Sequence, residues 1–220
     1  MNLALCRIYN GEPYLKKYLD QMSLLVDKIL LVDDGSTDET YKICKNWKKV
    51  EIERIKVNTQ HDGLINNYLY NWADKFSPDW IISLDIDEVF KDSDVDNVAT
   101  LIRTAPKRET TFSFPMLYLW DKEDQYRADG WFGTVKAMRL YHYVHGKPPM
   151  LRREHGVLCP EGWNEFMSKI NINLPILHYG YLDKETREYK YKYYKAKDNM
   201  EDYSHIISDK VTLKKVEEFK

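Results

Sequence analysis

Two aspartates separated by one residue follow directly on an apolar segment of the chain. The segment Trp80–Leu84 predicts a buried strand, and Asp85 and Asp87 come immediately after it. Side chains two positions apart on an extended segment point to the same side. Paired carboxylates are the hard oxygen ligands that Mg²⁺ or Mn²⁺ prefers, usually with a substrate phosphate completing the coordination shell. We therefore predict a divalent-metal site at Asp85 and Asp87, with an ordinary acidic turn as the alternative.

A second pair of carboxylates follows an earlier apolar segment. Lys28–Val32 predicts a buried strand that ends at Asp33 and Asp34. A carboxylate at the end of a strand can accept hydrogen bonds from a nucleobase or a ribose, and the next residue, Gly35, permits a ligand to approach the backbone closely. The spacing of Ser36 and Glu39 predicts a capping box at the start of the helix that follows.

The first hundred residues alternate between strand and helix patterns and so predict how these carboxylates are positioned. Repeated strand–helix units are typical of a parallel sheet with helices on both faces. Ligands of such sheets bind beyond the carboxyl ends of the strands, so Asp33 and Asp85 should converge on one cleft. The predicted strands are Leu3–Ile8, Lys28–Val32, Ile52–Val57 and Trp80–Leu84, and the predicted helices begin at Pro13, after Ser36 and at Leu64. Asp62-Gly63 predicts a turn before the third helix.

The pattern changes after about residue 105. Thr110–Trp120 and Thr134–Tyr143 predict antiparallel strands, and Ile172–Tyr179 predicts a further strand. Residues 144–165 are rich in Gly, Pro, His and charge and predict a long loop. Asp183–Tyr203 predicts a charged, tyrosine-rich helix.

Composition narrows the classes of protein. The chain has 220 residues, and its 33 basic and 35 acidic side chains give a formal charge of −2, so no overall field favours nucleic acid. A hydrophobic content of 43% argues against a disordered chain. Three widely spaced cysteines form no disulfide framework, and no apolar run is long enough to span a bilayer. We expect a cytoplasmic protein, and peripheral contact with a membrane stays open.

Four segments together resemble family 2 glycosyltransferases with the GT-A fold. They lie in the same order as in that family: Cys6–Glu12, Val32–Asp38, Asp62–Asn67 and Leu84–Glu88. The resemblance implies an α/β fold with a mixed, mostly parallel central sheet and helices on both faces. It also implies transfer of a sugar, with inversion, from a UDP-, GDP- or dTDP-sugar to an acceptor hydroxyl of a glycan, lipid-linked or protein-borne, with Mn²⁺ or Mg²⁺.

The same resemblance implies roles for single residues. Asp33 would bind the nucleobase, Asp85 the ribose or a metal-bound water, and Asp87 the metal. His178, in the segment Leu177–Tyr181, would complete the metal site, against the alternative of a structural histidine. The implied nucleotide-binding positions are Arg7, Asn10, Glu12, Asp33, Asp34, Gly63 and Asp85, and the implied metal ligands are Asp85, Asp87 and His178.

An inverting transferase also needs a general base to deprotonate the acceptor. The candidate carboxylates are Asp129, Glu154, Glu161 and Glu165. Cations that could assist the diphosphate leaving group are Arg7, Lys184, Arg187, Lys190 and Lys192, although a solvated helix explains the Lys184–Lys197 segment equally well. Trp131, Trp163 and Tyr118 are candidates for stacking on an acceptor sugar, with core packing as the alternative.

The predicted organisation is one transferase domain, residues 1–182, with a C-terminal helical extension, residues 183–220. Residues 1–105 form its nucleotide-sugar-binding half and residues 106–182 its acceptor half. Two other functions stay open. One is a haloacid-dehalogenase-like phosphatase with Asp85 as nucleophile, and the other is a catalytically dead sugar-binding domain. The phosphatase reading leaves Asp33 and Asp34 unexplained, and the dead-domain reading leaves all the retained aspartates unexplained.

Overall fold

Strands and helices alternate along the first part of the chain, over residues 2–82, and strands predominate after residue 104. The structure, a computed structural model, describes residues 1–55, 62–106, 109–147, 167–197 and 202–219, the side chains of Asp62 and Lys197 excepted. The strands are β1 (Asn2–Ile8), β2 (Lys28–Asp33), β3 (Val50–Arg54), β4 (Trp80–Ile82), β5 (Glu88–Phe90), β6 (Thr110–Trp120), β7 (Lys122–Arg127), β8 (Lys136–His142), β9 (Ser168–Asn171), β10 (Ile176–His178) and β11 (Leu213–Lys215). The helices are α1 (Glu12–Leu25), α2 (Thr40–Lys45), α3 (Asp62–Asp74), α4 (Val95–Thr104) and α5 (Lys184–Lys197).

A single mixed sheet organises these elements. Its main path runs β11-β7-β6-β8-β4-β1-β2-β3, while β9 and β10 pair with β6, and β5 pairs with β10. The segment β4-β1-β2-β3 is parallel, and β8 joins it by antiparallel pairing with both β4 and β6. The sequence-based prediction of four parallel strands followed by antiparallel ones is confirmed.

Alternation along β1 shows that both faces of this sheet are covered. Ala4, Cys6 and Ile8 belong to a buried cluster shared with α1 and α4. Leu3 and Leu5, on the opposite face, pack in a second cluster with side chains of α3. Each fully buried Leu or Ile contributes about 1.5–3 kcal/mol relative to exposure. This two-sided burial confirms the predicted helices on both faces, and β1 lies inside the sheet between β4 and β2.

Two local predictions about element boundaries on the amino-terminal side need correction. The buried strand at Trp80 ends at Ile82, so the following three residues belong to the loop that carries Asp85. Asp62 and Gly63 are not a turn but the first residues of α3.

The predicted capping box is wrong. Helix α2 begins at Thr40 and has no side-chain cap. The hydroxyl of Ser36 instead accepts a hydrogen bond from the Asn10 N–H at 2.9 Å, and the Glu39 carboxylate pairs with Lys42 at 2.6 Å. A contact between two loops has replaced the local contact that the sequence pattern favoured.

The carboxyl-terminal prediction is only partly correct. Helix α5 is present, but Ser204–Ile207 and Val216–Glu218 are short 3₁₀ helices. Strand β11 pairs antiparallel with β7, and the Ala128 N–H donates to the Thr212 carbonyl at 2.8 Å. The predicted C-terminal extension therefore contains the helix α5 and also β11, which forms an edge of the main sheet. In the described ranges, no helix is long and apolar enough to cross a membrane.

Candidate active site

A tight turn after β4 presents the two aspartates of the Asp-x-Asp pair. The Glu88 N–H donates to the Asp85 carbonyl at 2.9 Å, and the Asp85 N–H donates to Glu88 Oε2 at 3.0 Å. Strand β5 then pairs with β10, which sets His178 opposite Glu88. The turn closes on itself, and the strand pairing after it brings a distant histidine beside Asp87.

A buried arginine on β8 neutralises one side of this turn. Arg139 Nη2 lies 2.9 Å from Asp85 Oδ2 and also bonds the Glu88 carboxylate. Burial raises the pKa of Glu88 to about 8, with Arg139 opposing the shift and the charges of Asp85 and Asp87 adding to it. Asp85 is the exposed member of the group, because 64% of its side chain is accessible. Arg139 therefore holds Asp85 at the surface of the cleft.

A second charged cluster surrounds Asp87. Lys190 Nζ from α5 lies 3.6 Å from Asp87 Oδ2, and His178 Nδ1 lies 4.0 Å from the same oxygen. Burial opposes ionisation of Asp87, but its interactions with His178 and Lys190 hold its pKa below the usual value. A Cβ atom at Gly180 would overlap Asp87 Oδ2 and Lys190 Nζ, so this cluster needs glycine there.

The His178 ring is oriented by its own backbone. Its Nδ1 accepts a hydrogen bond from the Gly180 N–H at 3.0 Å, and its ring centroid lies 5.0 Å from that of Tyr118. Burial lowers the pKa of His178 to about 4, so the imidazole is neutral at pH 7. A neutral ring whose Nδ1 accepts carries its proton on Nε2. The structure therefore places His178 beside Asp87 with Nδ1 already engaged.

The donor set fits a hard divalent cation of the magnesium type. Such ions are held by one or two carboxylates together with substrate phosphates and do not require a full protein cage. Among the described residues, no three His, Cys, Asp or Glu side chains are grouped so that they could hold a metal by themselves, Asp85, Asp87 and His178 included. Asp85 and Asp87 are the two carboxylates at the cleft that could contribute oxygen ligands.

The predicted nucleobase ligand, Asp33, has a neighbour at each carboxylate oxygen. Its Oδ1 accepts from the Ser36 N–H at 3.0 Å, and its Oδ2 lies 2.7 Å from Arg54 Nε. The neighbouring Asp34 pairs with Arg7 at 2.8 Å through Oδ2. Asp33 Oδ2 and Asp34 Oδ1 are both buried, and neither accepts a hydrogen bond from a described residue. Both carboxylates therefore keep acceptor capacity, at positions withdrawn from solvent.

Asn10 and Glu12 connect two loops. Asn10 Oδ1 accepts from the Thr37 N–H at 2.8 Å, and Glu12 Oε2 accepts from the Glu39 N–H at 3.1 Å. Asn10 takes a φ of 47°, in the left-handed region that asparagine tolerates better than most residues. In the structure both side chains therefore hold the loop after β1 against the loop after β2.

One large cavity joins the two charged clusters. Its volume is about 1070 Å³, and it extends from β1 and the Asp85 turn across β6 and β8 to the carboxyl-terminal segment. The predicted site residues that line it are Arg7, Asp85, Asp87, Asp129, His178 and Lys190. The described residues lining it do not include Asn10, Glu12, Asp33, Asp34 or Gly63. The three predicted metal ligands thus line the cleft, whereas most of the predicted nucleotide-binding residues do not.

Asp129 lies in the cleft wall as part of an ion pair. Arg127 contacts it through both Nε and Nη2, the latter at 2.8 Å, and the Thr212 N–H donates to it at 2.8 Å. The hydrogen bond from Arg127 lowers the pKa of Asp129. These contacts anchor the carboxylate. The other base candidates, Glu154, Glu161 and Glu165, and also Trp163, lie outside the described residues.

The candidate cations separate into two groups. Lys190 and Arg7 line the cleft, whereas Arg187 is buried and donates to the carbonyls of Tyr181 and Leu182 and to Asp121. Lys184 faces Glu188 along the helix surface at 4.0 Å. Arg187 therefore stabilises the start of α5, whereas Lys190 of the same helix contacts Asp87 at the predicted metal site.

Sequence reasoning missed several residues that line the cleft. Arg139 is a charge within the strand Lys136–His142, and a charge that is largely withdrawn from solvent is normally paired, which was the available signal. Asn66 lies within the Asp62–Asn67 segment of the family resemblance and is buried against the cleft. Tyr203 and His205 also line the cleft, where Tyr203 stacks on Tyr194 and the His205 carbonyl accepts a hydrogen bond from Arg127.

The fold and this site together define a GT-A glycosyltransferase class, and the family comparison agrees. The model of glycosyl transferase family 2 matches residues 7–141, and the chain belongs to that family. TarS of S. aureus shares the fold: its structure aligns over 94% of this chain and 69% of its own, with 13% identity and a TM-score of 0.53. TarS in complex with UDP aligns with a TM-score of 0.52 at 13% identity, over 95% of this chain and 70% of that one.

Two curated proteins are similar in sequence. An uncharacterized protein of Mycobacterium tuberculosis is 28% identical over 220 residues, covering 84% of this chain and 51% of its own length. Glycosyltransferase GlyA of Streptococcus pneumoniae is 30% identical over 95 residues, covering 38% of this chain and 14% of its own. The chain thus spans about half of the mycobacterial relative's length, 51%.

Proposed function

We propose that the protein is a metal-dependent glycosyltransferase that moves a sugar, with inversion, from a nucleotide-sugar donor to an acceptor hydroxyl. One observation carries the proposal: the turn after β4 presents Asp85 and Asp87 at a cleft of about 1070 Å³, each beside a cation. Membership of family 2 supports transfer over the phosphatase alternative.

The charges of the cleft suit a diphosphate leaving group. Negative charge grows on the diphosphate as the glycosidic bond breaks, and fixed cations stabilise it electrostatically. Lys190 lies 3.6 Å from Asp87 and is the residue we assign to this role. A divalent cation held by Asp85 and Asp87, with His178 beside it, would supply Lewis-acid stabilisation of the same charge. Arg139 keeps Asp85 oriented toward the cleft.

For the donor we propose a UDP-sugar ahead of GDP- and dTDP-sugars, because the fold neighbour TarS has been crystallised with UDP. Asp34 is a second candidate beside Asp33 for a nucleobase or ribose group, since one buried oxygen of each carboxylate accepts no hydrogen bond from a described residue. Arg7, which pairs with Asp34 and lines the cleft, positions that carboxylate.

For the general base we propose a carboxylate among Glu154, Glu161 and Glu165. A base must have a lone pair free to take the acceptor proton. Asp129 is held by Arg127 and by the Thr212 N–H, and its lowered pKa makes it a weaker base. Its contacts support an anchoring role instead.

Thermal shift with nucleotides tests this function. A ligand that binds only the folded state at 100 times its Kd stabilises it by about 2.7 kcal/mol. We expect UDP with Mn²⁺ to raise the Tm of the wild type more than GDP or dTDP with Mn²⁺, and Asp87→Ala to remove the Mn²⁺-dependent part. Asp96→Ala, in the first turn of α4, is the control and should keep it.

Two results would overturn the proposal. One is that no nucleotide stabilises the wild type in a way that Asp87→Ala removes. The other is hydrolysis of a simple phosphate ester that Asp85→Asn abolishes, which supports the phosphatase alternative. Binding of free sugars without nucleotide or metal would support the dead sugar-binding alternative.

A further inference from the structure

The cleft has an aromatic wall beyond the charged clusters. We call it the acceptor wall and define it by its lining side chains: Tyr118, Trp131, Phe132, Tyr181, Tyr203 and His205. Tyr118, Phe132 and Tyr181 are largely withdrawn from solvent and pack on one another, with ring centroids 5.1–5.5 Å apart. They form the rigid backing of the wall.

Trp131 is the exception in this wall. Its side chain is 59% exposed although it lines the cavity. Its ring rests against Tyr118 and Phe132, each at a centroid distance of 5.3 Å, so one face of the indole is supported and the rest is open. A large exposed apolar ring in a cavity wall is typical of a ligand contact.

Trp131 lies near the charged clusters, separated from His178 by the ring of Tyr118. Tyr118 lies between it and His178, with centroids 5.0 Å from the histidine and 5.3 Å from the tryptophan. Trp131 is therefore one aromatic ring farther along the same cleft than the residues assigned to the donor. A ligand on this ring lies next to the donor sugar, where the acceptor must be.

Several long-range contacts hold this part of the wall in place. The guanidinium of Arg127 lies over the rings of Trp120 and Phe132, at 4.9 and 4.3 Å from their centroids, and Nη1 donates to the His205 carbonyl at 2.6 Å. Asp129, bound to Arg127, directly precedes the 3₁₀ turn Gly130–Gly133 that carries Trp131. The platform is thus preorganised, which lowers the entropic cost of binding.

We propose that Trp131 is the acceptor platform and that the acceptor presents a glycosyl ring to it. This inference rests on the proposed function, which it deepens. The C–H face of a pyranose fits the open indole face, and its hydroxyls find polar partners at the rim in Lys136, Asp129 and His205, which line the same cavity. An alkyl chain would offer no hydrogen bonds to these polar groups, which disfavours a purely apolar acceptor.

Saturation-transfer NMR can test this assignment with simple probes. The samples contain the full chain with UDP and Mg²⁺, and one of the methyl β-glycosides of glucose, galactose or N-acetylglucosamine, or octyl β-glucoside. The UDP signals serve as the internal reference in every sample. The variants are Trp131→Ala and Trp131→Phe, with Tyr189→Ala as control, because Tyr189 is 63% exposed and is not among the residues lining the cleft.

We expect the ring C–H protons of at least one methyl glycoside to receive saturation in the wild type. Relative to UDP, these signals should fall at least about fivefold in Trp131→Ala and stay within about twofold in Trp131→Phe and Tyr189→Ala, since phenylalanine keeps a stacking face. The fold of Trp131→Ala is checked by its Tm, and Trp131→Phe keeps the test valid if the alanine variant is unstable.

Other outcomes would overturn the assignment. They are sugar signals that Trp131→Ala leaves unchanged, UDP signals without any sugar signal, and saturation of the octyl chain while the sugar ring stays silent. Failure of the proposed function is distinguishable: sugar signals that depend on Trp131 without any UDP signal refute the donor proposal and leave the platform standing. Silence of both ligands refutes both.

Discussion

The two walls of the cleft are built in different ways. The donor wall, which we define as Arg7, Asp85 and Asp87, stands at the carboxyl ends of parallel strands and their loops. The acceptor wall stands on antiparallel strands and on a segment at the far end of the chain. Charges that meet phosphate come from short, local motifs, whereas the aromatic surface depends on contacts between residues far apart in the sequence, such as Arg127 and His205.

The difference suggests that substitutions in the two walls have different effects. A donor-wall carboxylate is a chemical group on a loop that closes locally, so its loss should affect the reaction more than the fold. An acceptor-wall anchor holds several segments together, so its loss should affect the fold first. Substitutions in each wall can show whether effects on the reaction and effects on the fold separate in this way.

Asp87→Asn is expected to have the largest effect. It keeps the size of the side chain but removes the charge beside Lys190 and the main oxygen ligand of the proposed metal. The release of UDP from a UDP-sugar, with water as acceptor, should fall about 10²–10³-fold, the usual range for losing one preorganised electrostatic group. The free energy of unfolding should change by about 1 kcal/mol or less.

The matched control is Asp96→Asn, an aspartate in the first turn of α4. Its UDP release should equal that of the wild type. Equal losses in both variants would contradict the assignment of Asp87.

Arg127→Met should lower the free energy of unfolding by about 2–3 kcal/mol, measured by urea denaturation. The arginine is 5% exposed, and its removal leaves Asp129 and the His205 carbonyl without their charged donor. Hydrogen exchange should accelerate in the described residues 205–212. Arg103→Met, an exposed arginine bonded to Thr100, is the control and should cost about 0.5 kcal/mol or less. Equal costs would remove the distinction between the walls.

Gly180→Ala tests the junction between the walls. The added methyl group would overlap Asp87 Oδ2 and Lys190 Nζ, which are ends of side chains and can rotate away. We expect UDP release to fall about tenfold, equivalent to about 1.4 kcal/mol, because the charged groups are displaced. The thermal unfolding transition should stay cooperative. A large loss of stability with unchanged turnover would show that the glycine serves packing alone.

Asp129→Asn is expected to have the smallest effect, and the effect should depend on pH. The hydrogen bond from Arg127 lowers the pKa of the folded-state carboxylate below its ordinary value. A depressed folded pKa adds stability above the unfolded pKa, and this stability is lost as the pH falls through the folded pKa. The wild type should therefore exceed Asp129→Asn by about 1 kcal/mol or less at pH 7, with the difference shrinking below pH 4. A difference that grows on acidification would contradict the ion pair.

The donor wall also shows how far sequence reasoning reaches. Asp85 and Asp87 were predicted correctly at the sheet edge because an apolar strand and an adjacent acidic pair are both local signals. His178 was placed by resemblance, and the structure brings it to Asp87 through the pairing of β10 with β5. The ion pairs of Asp33 and Asp34 were not predictable, since they depend on Arg54 and Arg7, which come from separate strands.

The acceptor wall was less predictable for the same physical reason. The strand β11 is only three residues long and all three are exposed, so its sequence has no apolar alternation to reveal it. Its pairing with β7, and the contacts of His205 with Phe132 and Arg127, join residues far apart in the sequence.

Strand β11 has a further consequence, for self-association. Unpaired strand edges are templates for aggregation, which proteins counter with short edge strands and charged side chains. One outer strand of the main path, β11, carries Lys214 and Lys215, the latter paired with Asp124 at 2.5 Å. The other, β3, carries Glu51 and Glu53. The segment that carries Tyr203 and His205 therefore also supplies, in β11, the short charged strand that shields β7 from pairing with another copy, so removing this segment would endanger solubility together with the binding site.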